Sequence, residues 1–182
     1  LDVECFYETR ADLSKEEMAT MKGAGIVKIQ PGIESLSTPL LQLIRKGTTR
    51  IRHVQFLRWA KEYDLHLSYN LLAGFPGEDS EWYLEMARFL PRIRHVQPPL
   101  HNMHWVEMHR FSPLFQRRHE FGVDEMQIRE DYGFNFPDGL VDPLVRRKEA
   151  REVRESRGLG PAVAPLPRDA QGFEEELARF RG

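Results

Sequence analysis

Three short segments of this chain place charged or amide side chains where a strand ends. They are Glu8-Thr9-Arg10, Gln30-Pro31-Gly32-Ile33-Glu34-Ser35, and Asn70 with the loop Gly74-Phe75-Pro76-Gly77-Glu78. The guanidinium of Arg10 can fork onto a carboxylate. The carboxylate of Glu34 can accept from an ammonium or from sugar hydroxyls. Glycine in the second and third segments permits unusual backbone angles and close approach of a ligand. Together these groups suit a small ligand that carries both a carboxylate and an amine. The competing reading pairs Arg10 with Glu34, or with solvent, and no ligand at all.

Other chemistries lack their motifs. Gly23-Ala24-Gly25 precedes a strand instead of following one, so it is no dinucleotide fingerprint. No Gly-Lys-Ser/Thr phosphate loop and no G-x-S-x-G nucleophile elbow occurs. His101, His104 and His109 cluster in sequence, but on a strand His104 and His109 point to opposite faces, and no metal site is expected there. No residue is singled out as catalytic.

The elements that position these groups read as alternating strands and helices. Strands are expected at Val3 to Tyr7, Ile26 to Ile29, His66 to Leu71, Ile93 to Gln97 and His104 to Phe111. Ser14 and Glu17 form a capping-box pattern that opens a helix running to about Lys22. Thr38 as N-cap before Pro39 opens a short helix through Arg45. A longer helix spans Thr49 to Tyr63, with Ile51, Val54, Leu57, Ala60 and Tyr63 as its apolar stripe. Another covers Ser80 to Leu90. Such alternation argues for parallel βαβ units, whose ligands bind at the carboxyl ends of the strands.

Composition narrows the class. The 182 residues carry 26 Lys+Arg against 28 Asp+Glu, a net charge of −2, which points to neither nucleic acid nor an anionic membrane as a partner. No apolar run approaches the roughly 20 residues of a membrane span. One cysteine, Cys5, excludes an internal disulfide framework and fits a reducing, cytoplasmic compartment. It also excludes a metal cluster held by several thiolates of this chain. The chain starts at Leu1 inside an expected strand, and so reads as part of a longer protein. The strand at Val3 to Tyr7 then presents an open edge, from which a homo-oligomer is expected. Residues 1–122 are expected to be the α/β portion and 123–143 a flanking extension. Residues 144–182, polar with a Gly/Pro-rich stretch at 158–167, are expected to be a mobile tail in which 173–180 form a helical turn or two.

The string Val27-Lys28-Ile29-Gln30-Pro31-Gly32-Ile33-Glu34-Ser35-Leu36-Ser37, followed by Arg45-Lys46-Gly47-Thr48, resembles the fourth-strand region of radical S-adenosylmethionine enzymes. Asn70-Leu71-Leu72-Ala73-Gly74-Phe75-Pro76-Gly77-Glu78 is similar to their fifth strand and loop. With Gln97-Pro98-Pro99 and Arg110-Phe111-Ser112-Pro113 added, the pattern most resembles the cobalamin-binding branch that C-methylates ribosomally made peptides.

That resemblance implies a partial TIM-like (β/α) barrel lacking its first strands. It implies S-adenosylmethionine as cofactor, with a 4Fe-4S cluster and cobalamin held by the parent protein outside this chain, and a peptide as substrate. Arg10 would meet the methionine carboxylate, Glu34 of the G-I-E-S motif the methionine amino group or ribose, and Ser35 beside it would also contact the cofactor. Gln30 and Asn70 would face the barrel interior, and the loop of Gly74, Phe75 and Pro76 would support the adenine side. The family's three-cysteine motif is absent, so this chain alone is expected to be inactive. A tetrapyrrole-modifying relative of the magnesium-protoporphyrin ester cyclase type, and a non-catalytic peptide-binding half-barrel, are the alternatives.

Overall fold

The capping box at Ser14 forms as expected: its hydroxyl accepts from the Glu17 N–H at 3.2 Å, and the Glu17 carboxylate accepts from the Ser14 N–H at 2.7 Å. The computed structural model describes residues 5–100, 103–109, 111–121, 123 and 170–181. In chain order the elements are β1 (Phe6–Thr9), α1 (Lys15–Gly23), β2 (Lys28–Pro31), α2 (Thr38–Leu43), α3 (Arg50–Glu62) and β3 (His66–Leu67). There follow β4 (Leu72–Ala73), α4 (Ser80–Phe89) with a 3₁₀ turn at Leu90–Ile93, β5 (His104–Trp105), α5 (Pro113–Gln116) and α6 (Ala170–Arg181).

Two units are distinguished. The first takes Leu1–Ala73, Glu78–Val106 and Pro167–Gly182; the second takes Gly74–Gly77 and Glu107–Leu166. In the second, the Ser112 hydroxyl caps α5 by accepting from Phe115 N–H at 3.1 Å, and a 3₁₀ turn follows at Arg118–Phe121.

Within the first unit β1 pairs with β2, β2 with β3, and β4 with β5, each in parallel. Glu34 adds a parallel bridge to Leu71. Helices between parallel strands make this a partial α/β barrel. Its core is built on Ile29, Ile33, Leu36, Leu40, Phe56 and Leu57, all essentially without solvent contact. Burying side chains of this size contributes about 1.5–3 kcal/mol each. β1 forms one edge of its sheet, and Phe6 and Tyr7 on it are about half exposed. No helix among the described residues is long and apolar enough to cross a membrane.

Several expected elements differ. The described part of β1 begins at Phe6 and β2 at Lys28, two residues later than expected, because the turn after α1 holds Ile26 N–H on the Met21 carbonyl. Ser37, not Thr38, is the N-cap of α2, and the Thr38 hydroxyl instead accepts from the first N–H of α3, at Arg50, 3.0 Å away. The buried stripe of α3 is His53, Phe56, Leu57 and Ala60, while Ile51 is 78% exposed. Both stripes satisfy helical spacing; the second buries the larger Phe56 and lets His53 bond to a backbone carbonyl.

Of the expected strand from His66 to Leu71 only His66–Leu67 forms, with Leu71 in a single bridge to Glu34, and the one at Ile93 to Gln97 does not form. Gln97 explains both. Its side-chain amide takes the place of a neighbouring strand, accepting from Leu67 N–H at 3.0 Å and donating to the Leu67 carbonyl. The expected strand over His104 to Phe111 is confined to His104–Trp105, and Phe111 adopts a left-handed φ of 70°.

Residues 123–143 lie outside the described residues except Val123, as do 144–169. The end of the expected tail is a three-turn helix, not a mobile segment. α6 packs on α4 and its 3₁₀ turn, with Phe173 and Leu177 fully buried and Phe173 edge-on to Tyr83, ring centroids 6.3 Å apart. Glu176 accepts from Arg94 at 2.6 Å, and Arg181 donates to the Leu100 carbonyl at 2.9 Å. Phe173→Ala should cost about 3–5 kcal/mol in denaturant unfolding; a loss under about 1 kcal/mol would show that α6 does not dock this way.

His53 is buried, its Nδ1–H donating to the Ser35 carbonyl at 3.0 Å while Nε2 has no partner among the described residues. Burial lowers its pKa. The unfolded chain therefore takes up a proton that folded His53 refuses as pH falls through about 6.5. Stability should be complete above that pH and fall below it, by up to about 1.4 kcal/mol per pH unit. His53→Gln should remove this slope in unfolding measured over a pH series; an unchanged slope would remove His53 as its source.

Candidate functional site

A tight succession of turns follows β2. Gly32 N–H donates to the Thr9 carbonyl at 3.1 Å, Ile33 N–H to Pro31 at 2.9 Å, and Ser35 N–H to Ile33 at 2.6 Å. This forces Glu34 to a left-handed φ of 58°, a conformation that costs a non-glycine residue about 1 kcal/mol or more. The Glu34 carbonyl then accepts from Leu72 N–H at 2.8 Å, which brings the end of β2 against the start of β4.

Where these strand ends meet there is a cleft of about 210 Å³, lined by Glu8, Thr9, Gln30, Pro31, Gly32, Glu34, Tyr69, Asn70 and Leu72. All belong to the first unit. Of the residues expected to bind a cofactor, the structure brings Gln30, Glu34 and Asn70 together here. Two of the lining residues hold buried polar atoms with no partner among the described residues: Thr9 Oγ1 and Asn70 Oδ1. An unsatisfied buried oxygen costs roughly 1–3 kcal/mol, so such atoms at a cleft fit an absent donor.

The other expected residues lie elsewhere. Arg10 neither faces the cleft nor pairs with Glu34. Its guanidinium grips Asp12, with Nη2 2.6 Å from Oδ2, and is 81% exposed. The turn at residues 11–12 brings that carboxylate within reach, and the contact holds Asp12 below the usual carboxylate range. Ser35 is fully buried and its hydroxyl is committed, donating to Met86 Sδ at 3.4 Å and accepting from Ser37 N–H at 3.0 Å. Gly74, Phe75 and Pro76 fall in the second unit, where Gly74 and Gly77 both take positive φ.

Sequence reading missed Lys46 and Tyr69, and named Glu8 and Thr9 only as the segment that carries Arg10. Lys46 Nζ donates to Glu34 Oε1 at 3.1 Å. It also stands 2.9 Å from where a Cβ on Gly32 would lie. Lys46 was present in the quoted motif, twelve residues after Glu34, but no local periodicity links the two. Tyr69 is buried, its hydroxyl donating to the Gln97 carbonyl at 2.8 Å, and desolvation pushes its pKa well upward. It forms part of the cleft wall.

Residues 1–90 match the radical SAM superfamily. An uncharacterized methyltransferase of Pyrococcus horikoshii is 33% identical over 94 residues, 51% of this chain and 20% of that protein. Among solved structures, the Elp3 protein of Methanocaldococcus infernus superposes with a TM-score of 0.52 at 19% identity, covering 81% of this chain and 35% of that one. OxsB, a cobalamin-dependent S-adenosylmethionine radical enzyme, gives 0.46 at 18% identity, covering 65% and 18%. The chain spans about a fifth of the length of the curated relatives it matches.

Gly32→Ala should displace the Lys46 ammonium, the flexible end of a side chain, and leave the backbone in place. Because half-exposed ion pairs contribute about 0–1 kcal/mol, its stability should fall by no more than that in thermal unfolding. A loss of several kcal/mol would show that the Gly32 backbone itself cannot accept a side chain.

Proposed function

We propose that this chain is the carboxyl-terminal barrel portion of a radical SAM methyltransferase, and that its cleft takes the nucleoside end of S-adenosylmethionine. The observation that carries the reading is the convergence of Glu34, Gln30, Asn70 and Thr9 at the carboxyl ends of parallel strands, with two buried oxygens lacking donors. Asn70 and Thr9 would meet ligand donors, and the Glu34 carboxylate would accept from ribose hydroxyls. Hydroxyls suit Glu34 better than an ammonium does, because Lys46 already holds a positive charge on the same carboxylate.

When bound, S-adenosylmethionine supplies a reactive sulfonium; the protein supplies its orientation. A cleft of about 210 Å³ is smaller than the roughly 300–1,000 Å³ of typical small-molecule sites, so these walls hold only part of the cofactor. The iron–sulfur cluster does not fit the residues present, since Cys5 is the chain's one cysteine and such clusters are held by several thiolates. On this reading the cluster ligands lie elsewhere in the parent protein, as does cobalamin, and the chain by itself is inactive. The substrate proposed for the parent is a ribosomally made peptide methylated on carbon. Support comes from the Gln97-Pro98-Pro99 and Arg110-Phe111-Ser112-Pro113 resemblance and from the methyltransferase of P. horikoshii.

Calorimetric titration with S-adenosylmethionine tests the cleft. Glu34→Gln should weaken binding about tenfold, the value of a charge-assisted hydrogen bond of about 1.4 kcal/mol, with melting temperature little changed. Unchanged affinity in both Glu34→Gln and Asn70→Ala would remove the cofactor from this cleft.

A further inference from the structure

The pair of Lys46 and Glu34 stands on strained backbone at both ends. Glu34 has φ 58°, and Lys46 lies between Arg45 at φ 54° and Gly47 at φ 72°. Only four non-glycine residues among those described take positive φ, and this corner uses two of them. The turn that ends α2 is hydrogen-bonded, with Arg45 N–H on the Gln42 carbonyl at 3.0 Å and Lys46 N–H on the Leu41 carbonyl at 2.8 Å. It delivers the ammonium over Gly32, onto a spot that a Cβ would fill. Exposed lysines are ordinarily mobile, and a half-exposed ion pair returns little stability for such a backbone. Strain of this kind collects where geometry serves binding.

The charges suggest what the geometry serves. Glu34 Oε1 is taken by Lys46, and Oε2 has no partner among the described residues. Glu8 is the other carboxylate on the cleft wall, and neither lysine nor arginine lines it. Without Lys46 the cleft would carry two uncompensated negative charges and attract cations.

We propose that Lys46 sets the ligand-charge preference of the cleft: by pairing with one oxygen of Glu34 it leaves the other as an acceptor for a neutral hydroxyl and repels a cation. This rests on the nucleoside reading above and assigns Lys46 a positioning role within it. Lys46 orients Glu34 and does not itself need to touch the ligand.

The test titrates the full 182-residue chain with adenosine and with 3′-amino-3′-deoxyadenosine, in which an ammonium replaces one ribose hydroxyl. The pH is held near 6, low enough to favour the protonated amine. The wild-type chain should prefer adenosine. Lys46→Met should shift the ratio of the two affinities toward the amino analogue by about tenfold, the scale of one like charge removed at close range in a partly exposed site. Lys46→Arg should restore the wild-type ratio, and adding Glu34→Gln to Lys46→Met should abolish the shift. A purely structural lysine would lower both affinities together and leave the ratio unmoved, which overturns the proposal. If Glu34→Gln weakens adenosine while Lys46→Met leaves the ratio unmoved, the cleft reading stands and the role of Lys46 falls. If neither probe binds, or if neither variant alters either probe, both fall.

Discussion

The hydrogen bond from Leu72 N–H to the Glu34 carbonyl holds the two parts of the sheet together. β1, β2 and β3 form one parallel set, and β4 with β5 another. Between them runs the bridge of Glu34 to Leu71. That carbonyl can reach Leu72 only because Glu34 takes a left-handed conformation, which an L-residue resists. A residue held this way persists when its surroundings over-determine it. Here they do so from three sides: His53 bonds the carbonyl of the next residue, the Ser35 hydroxyl ties down Ser37 N–H, and Lys46 fixes the carboxylate.

This corner separates the core from the cleft wall within two adjacent residues. Ser35 faces the core, fully buried, and its side chain is consumed by Met86 and by the start of α2. Glu34 faces the cleft, and its carboxylate keeps one oxygen without a partner among the described residues. A motif of four residues therefore contains both a packing residue and a cleft-lining residue, and only geometry tells them apart.

Local signals in the sequence translated well where the physics is local. The Ser14–Glu17 capping box, the parallel strand–helix alternation and the placing of Gln30, Glu34 and Asn70 at one end of the sheet all depend on near neighbours or on the chirality of βαβ crossovers. What failed depends on partners chosen in space. Arg10 found Asp12 two residues away, a closer carboxylate than Glu34. The strand after α3 is short because the Gln97 side chain takes the Leu67 backbone groups in place of a ladder, something no periodicity shows. His53 was passed over as a core residue because it is polar, although its ring pairs with a carbonyl as a buried polar group must. The depth of α6 was hidden for the same reason: a polar-looking segment with Phe173, Leu177 and Phe180 at helical spacing buries well once a matching face exists.

That last element bears on the cleft through packing. Phe173 of α6 meets Tyr83 of α4 edge-to-face, and one helical turn further along α4, Met86 Sδ accepts the Ser35 hydroxyl. The order of support therefore runs from α6 to α4, from α4 to Ser35, and from Ser35 to the left-handed Glu34. Bringing α6 back across the intervening residues costs chain entropy, but that cost grows only with the logarithm of the loop, about 0.6 kcal/mol for each doubling. Burying Phe173, Leu177 and Phe180 returns about 1.5–3 kcal/mol for each side chain. Burial therefore outweighs the added cost of even a long connection, and α4 gains a rigid outer layer. Packed interiors transmit displacement because they contain little free volume. A helix remote in sequence from the Gly32-Ile33-Glu34-Ser35 motif thus helps keep Glu34 in its left-handed conformation.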